Sequence, residues 1–468
     1  KSLLLGSAAG LAAVTGAQAA DLPVRREAPA AVDYVRVCST YGAGFFFVPG
    51  SADSCLRIGG RVRADLLFQE PISRVQDSVG FLARGRLNVD YRTATAFGLL
   101  RAYIRYEITR VSGTPAGSTG VSAQDADIQQ AFVQFGGLTA GRVTSFFSNA
   151  DLPTQHFGTL RFDDAPDVPL FAYTFQFGGG FSATLAVEDS IQRRVSNPLA
   201  FGALIPPDIA PIALVPGGQR VPDLVGNVRM SGTWGSAQVS GAVRQVREVG
   251  EVGRVNPVTG RPLPVVADSE VGWAVGLSGH LNVPALGPGD AIWAYATYTD
   301  GAFGYLNGGQ DATVLAGAIT AGPLSLPVAD AFINPFTGDI ETNRAWSIAA
   351  GFNHYWTPQF RTNVFGSWMR FDASGGAAFT IPTTPATVAA GTAGATIGLV
   401  DFDEFRIGAN AIWSPVSGLN LGVEVLYINV DPRRPTLHAE PLIGGGTFIH
   451  TAGSEDIWQG RLRVQRDF

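Results

Sequence analysis

Leu56-Arg57-Ile58-Gly59-Gly60-Arg61-Val62-Arg63-Ala64-Asp65-Leu66-Leu67-Phe68 alternates between two kinds of side chain. Ile58, Gly60, Val62, Ala64, Leu66 and Phe68 form one face, and Arg57, Gly59, Arg61, Arg63 and Asp65 the other. A period of two means a β-strand, because successive side chains leave a strand on opposite sides. One face of this strand suits hydrocarbon and the other suits water.

The pattern recurs along the chain. Phe81, Ala83, Leu87, Val89 and Tyr91 oppose Arg84, Arg86, Asn88, Asp90 and Arg92, and Leu100, Ala102, Ile104, Tyr106 and Ile108 oppose Arg101, Tyr103, Arg105, Glu107 and Thr109. Near residue 468, Trp458, Gly460, Leu462, Val464 and Phe468 oppose Gln459, Arg461, Arg463 and Gln465. Soluble sandwiches alternate too, so length and turn rhythm must decide. These segments run to about ten residues or more, the length a tilted strand needs to cross a bilayer, against about five or six in soluble sheets.

Short turns alternate with long loops, the rhythm of transmembrane barrels. The turns fall at Thr93 to Ala96, Gly136-Gly137, Gly178 to Gly180, Gly235-Ser236, Pro284 to Gly289, Thr357 to Gln359 and Pro415 to Gly418. Sixteen candidate strands result, from 56–69 to 455–468. Segments 289–300 and 359–372 have the weakest alternation, which leaves fourteen or eighteen strands open. Trp234, Trp273, Trp356, Trp413 and Trp458 fall near segment ends, as an aromatic girdle does. A sheet facing lipid has to close so that no backbone donor is left unpaired, and about sixteen strands enclose an aqueous lumen. The fold class expected is all-β: a transmembrane antiparallel β-barrel.

Composition agrees: 58 Gly, 10% aromatic and only 15% charged residues suit strands and turns. Lys1, the apolar run Leu3 to Val14 and then Ala17-Gln18-Ala19 read as a signal peptide over 1–20, cleaved after Ala19 or Ala20. Residues 21–55 then form an N-terminal segment and 56–468 the barrel. Cys38 and Cys55 fit one disulfide in an oxidising compartment, which the chain-entropy model values at about 3 kcal/mol. Two unlinked buried thiols are the alternative.

The five histidines show no metal-ligand spacing, and no cofactor is expected. G-x-S-x-G, H-E-x-x-H, the P-loop and a dinucleotide fingerprint in a βαβ setting are all missing, which argues against an enzyme.

Ala20-Asp21-Leu22-Pro23, Tyr34-Val35-Arg36-Val37-Cys38, Gly44 to Gly50 and Cys55 to Gly60 resemble the mature amino-terminus of the alphaproteobacterial (Rhizobiales-type) general porins. Phe468, behind alternating residues, resembles the assembly signal of outer-membrane barrels. The resemblance is specific over the first 70 residues or so and architectural beyond. It implies a sixteen-stranded, homotrimeric, passive diffusion channel for small hydrophilic solutes and ions. Such a channel sits among outer-membrane lipid and lipopolysaccharide, with no nucleic-acid partner. It also implies an inward-folded constriction loop, here about 147–169.

That loop carries Asp151, Asp163, Asp164 and Asp167, while Arg61, Arg63, Arg84, Arg86, Arg101 and Arg105 share the polar face of the first three strands. Acids on the loop opposite arginines on the wall would set a transverse field across the narrowest point, orienting dipolar solutes. The alternative is a solvated wall in which the arginines pair with Glu107, Asp65 and Asp90.

Overall fold

A computed structural model describes residues 36–51, 53–71, 77–113, 122–160, 165–195, 217–247, 269–307, 326, 328–333, 339–374, 378–380, 394, 396–434, 436–441 and 447–468. The expected signal peptide lies outside the described residues.

Sixteen strands build the barrel. They are β1 (Ser54–Gln69), β2 (Val79–Thr95), β3 (Gly98–Gly113), β4 (Ser122–Phe135), β5 (Leu138–Thr144), β6 (Asp167–Gly178), β7 (Phe181–Glu188) and β8 (Asp223–Gly232). The second half comprises β9 (Gly235–Arg247), β10 (Ser269–Asn282), β11 (Ala291–Asp300), β12 (Arg344–Thr357), β13 (Phe360–Asp372), β14 (Phe402–Trp413), β15 (Leu419–Pro432) and β16 (Glu455–Asp467). Each pairs antiparallel with the next, and β1 closes the circuit on β16 from Arg61 opposite Asp467 to Gln69 opposite Gln459.

The count resolves the two weakly alternating segments as β11 and β13. Their alternation is weak because both faces are apolar. On β11, Ile292 and Tyr298 turn outward while Trp293 and Tyr295 are buried inside. On β13, Val364 and Trp368 turn outward while Phe365, Met369 and Phe371 are buried inside.

At the closing seam Gly60 and Phe468 exchange backbone hydrogen bonds of 2.8 and 3.1 Å. A Cβ on Gly60 would lie 2.3 Å from the Arg86 carbonyl oxygen and 2.7 Å from the Phe468 ring, so a glycine is needed there. Below this point β16 ends, and the free edge of β1 is covered by Phe46–Phe47, paired with Leu56 and Cys55. A disulfide between the buried Cys38 and Cys55, Cα atoms 6.1 Å apart, holds that segment down.

The long loops, which lie outside the sixteen candidate strands, carry short strands of their own. Ala331–Ile333 pairs with Ile340–Thr342, and Ala378–Thr380, Thr396–Gly398, Thr436–Pro441 and Thr447–Ala452 make a second small sheet. Threonines and β-branched residues recur in these pieces and favour extended backbone.

Apolar side chains cover the outside, with Ile58, Val62, Leu277, Val364 and Leu462 among the exposed ones, and the five girdle tryptophans also face outward. A second apolar population lies inside the barrel. Loop residues Leu160, Val195, Phe303, Leu306 and Phe332 pack against Trp293, Phe371, Phe402 and Ile428 of the inner wall. Each such side chain contributes about 1.5–3 kcal/mol on burial. With Phe147 and Tyr305 packed in the same way on Leu170, Val225 and Ala242, the loops fill the interior against β6–β16 and leave the inner face of β1–β4 to water.

Candidate functional site

The inner face of β1–β3 and β16 carries the arginines. Arg61, Arg84, Arg86, Arg92 and Arg101 have side chains between 19% and 28% exposed, so each is held by partners yet open to the interior. Arg61 bonds Asp467 at 2.6 Å, Glu107 binds both Arg86 at 2.7 Å and Arg84 at 3.2 Å, and Asp90 binds both Arg92 at 2.7 Å and Arg101 at 2.9 Å. Asp65 pairs with Arg463 at 2.7 Å and Arg461 at 3.7 Å. Arg63 donates to Gln465 at 3.0 Å, and Arg105 to Asn88 at 3.3 Å and to the Tyr103 hydroxyl at 3.1 Å. These nine arginines therefore share four carboxylates, and positive charge is left over. Glu107 and Asp90 pair with arginines of the first three strands, whereas Asp65 serves β16.

The segment after β5 leaves the wall at Ser145 and runs inside the barrel. Its start is fixed by Glu188, which accepts from the Ser145 hydroxyl at 2.8 Å and the Phe146 amide at 3.0 Å, and by Asn227 and Gln238, which donate to carbonyls between Phe146 and Ser148. Its far part is fixed to the opposite strands. Asn353 donates to the Pro153 carbonyl, Asn410 to that of Gln155, Arg406 to that of Thr159, and Arg461 and Arg463 both to that of Phe157. Glu424 accepts from the Phe157 amide at 2.8 Å and the Thr159 hydroxyl at 2.5 Å. The Phe157 ring lies under the Arg463 guanidinium, 4.4 Å from its centroid, and against Gly422, where a Cβ would come within 2.5 Å of the ring.

The expected loop acids are distributed differently. Asp151 pairs with Arg229 on β8, on the side where the loop begins, not with the arginines of β1–β3. Asp167 is not on the loop at all: it starts β6, accepting from Gln130 at 2.7 Å and Thr144 at 2.8 Å. Asp163 and Asp164 lie outside the described residues.

A second inward segment escaped the sequence reading. Arg244 of β9 and Asp330, in the stretch between β11 and β12, pair at 3.0 Å, both side chains buried. Arg244 also donates to the carbonyls of Arg193 and Ser190, while Asp330 accepts from the amides of Val195 and Phe303. Burial drives the Asp330 carboxyl above its ordinary range, against the pull of Arg244. Arg193 lies over the Tyr305 ring, and the Tyr305 hydroxyl donates to Asp223. One buried polar cluster thus joins the wall to two loops. Its only trace in the sequence was Arg244 at a water-facing phase.

A family profile described as the porin subfamily matches residues 21–460. The porin Omp2b of Brucella suis is 36% identical over 245 residues, covering 50% of this chain and 64% of that protein. The porin Omp2a of Brucella ovis is 34% identical over 256 residues, covering 50% of this chain and 68% of that protein. The chain thus matches a little under two thirds of the length of the Omp2b relative. Among solved structures, the outer membrane channel DcaP of Acinetobacter baumannii is similar in fold, with a TM-score of 0.56 at 16% identity over 90% of this chain and 99% of that one. With a closed sixteen-stranded barrel, apolar outside and arginine-rich within, and a profile match over nearly its whole length, the chain belongs to the porin subfamily of outer-membrane β-barrels.

Proposed function

We propose that this barrel is a passive diffusion pore for small hydrophilic solutes and ions, a channel and not an enzyme. The observation that supports it most is the contrast between an apolar outer surface and a row of half-buried guanidinium groups on the inner face of β1–β3. In this reading Arg61, Arg63, Arg84, Arg86, Arg101 and Arg105 line the water path, and the segment from Ser145 onward, which reaches Arg461 and Arg463 through Phe157, narrows it. Nine arginines sharing four carboxylates give that path a positive potential, which raises the local concentration of anions. Phe468 serves assembly in this reading, residues 1–20 are a removable signal, and the disulfide-bonded segment before β1 is a periplasmic cap on the barrel edge.

Purified protein in a planar bilayer tests the pore. Stepwise openings with an anion-favouring reversal potential in a KCl gradient are expected, and absence of conductance overturns the reading. A homotrimer is inferred from the family resemblance. Mass measurement by light scattering in detergent checks it, and a single barrel per particle rejects it.

A further inference from the structure

Across the β1–β2 ladder Arg61 stands directly opposite Arg86, and Arg63 opposite Arg84. Opposed residues of an antiparallel pair have Cα atoms about 4.5–5.5 Å apart, and like charges so placed destabilise the sheet. Arg463 and Arg461 adjoin this square from β16, facing Asp65 and Leu67. The six guanidinium groups share three carboxylates, Asp467, Glu107 and Asp65. Arg63 has none of them among the described residues: its Nε donates to Gln465, and its two terminal nitrogens make no hydrogen bond there.

We propose that the square formed by Arg61, Arg63, Arg84 and Arg86 is a binding station for a doubly charged tetrahedral oxyanion, inorganic phosphate or a phosphate monoester. The proposal rests on the pore reading and adds a substrate class to it. Guanidinium forks give paired N–H donors to an oxyanion, with a directionality that chloride does not use. A single tetrahedral group bridging the two opposed pairs would bring two negative charges to offset the repulsion that the Arg63–Arg84 and Arg61–Arg86 pairs set up. A wall that only needed wetting would be served as well by serines or asparagines, without opposing like charges.

The test is a titration of inorganic phosphate against the chloride current of the wild-type channel in a planar bilayer, at alkaline pH where phosphate carries two charges. Chloride current falling saturably is the expected result. Arg63→Gln should weaken half-saturation about tenfold or more, since each charged hydrogen bond lost is worth at least that factor. Arg63→Lys, which keeps the charge but not the fork, should fall between the two and replaces the Gln variant should that one fail to form channels. Channels in which phosphate leaves the chloride current intact overturn the station and leave the pore standing. Saturable block that Arg63→Gln and Arg63→Lys both leave unchanged overturns it as well. No channel from the wild-type protein overturns pore and station together.

Discussion

Nη1 of Arg244 and Oδ2 of Asp330 lie 3.0 Å apart, an ion pair withdrawn from water between the barrel wall and a loop that enters from above. Removing Asp330's charge takes away the nearer of two buried carboxylates facing Arg244, Asp223 remaining at 3.9 Å, at a cost of up to about 3–5 kcal/mol. Asp330→Asn should therefore free the segments around Val195 and Phe303, whose amides Asp330 also accepts. A larger, noisier single-channel conductance and faster tryptic cleavage at Arg193 and Arg194 are expected. Wild-type values in both measurements would remove the latch from consideration.

Gly422 supports the Phe157 ring so closely that a side chain there has no room. Gly422→Val should push the ring off the wall toward the lumen, at about 1–3 kcal/mol of overpacking strain. Conductance should drop, and a second change, Phe157→Ala, should restore it. A single mutant that conducts like wild type would mean the ring is free to relocate.

Replacing Arg84, Arg86, Arg101 and Arg105 together with Ser removes four positive charges from the inner face while leaving Glu107 and Asp90 unpaired by the first three strands except through Arg92. Pore potentials of this kind reach several kT, so the ion preference should move severalfold toward cations. Reversal potentials in a salt gradient measure it. An unchanged preference would place the selective region elsewhere along the path.

Replacing Cys38 and Cys55 with Ser releases the segment carrying Phe46–Phe47 from the edge of β1. The expected loss is about 3 kcal/mol, confined to that segment. Far-ultraviolet circular dichroism should keep the barrel signal while proteolysis at Arg36 accelerates. Loss of the barrel signal itself would show that the cap is required for closure.

Strand positions were readable because the lipid face and the water face differ so sharply on β1–β3 and β16 that alternation alone marks them. The same logic failed in part on β11 and β13, where inward Trp293 and Phe365 meet loop side chains instead of water, so two apolar faces erase the contrast. Site geometry was readable in one respect: phase put six arginines on one inner wall, and Glu107 and Asp90 among their partners. The route of the inward loop was not readable, because carbonyls of Pro153, Gln155, Phe157 and Thr159 do the anchoring, and a backbone acceptor leaves no mark on residue type. Asp151 turned to Arg229, a partner 78 positions away in sequence on a strand that alternation placed but could not orient toward the loop.

The seam between β1 and β16 joins Arg61 to Asp467, residues 406 positions apart. Hairpin pairing brings each strand beside its neighbour cheaply, but this last ladder rewards the chain only after almost all of it has been gathered. Contacts of such separation slow folding, since their loop-closure entropy comes before any gain. Until Gly60 meets Phe468, two long apolar edges stay open to association with other chains. The vulnerable moment in the life of this molecule is therefore its final zipping, and the aromatic ring resting on a bare glycine is the clasp that ends it.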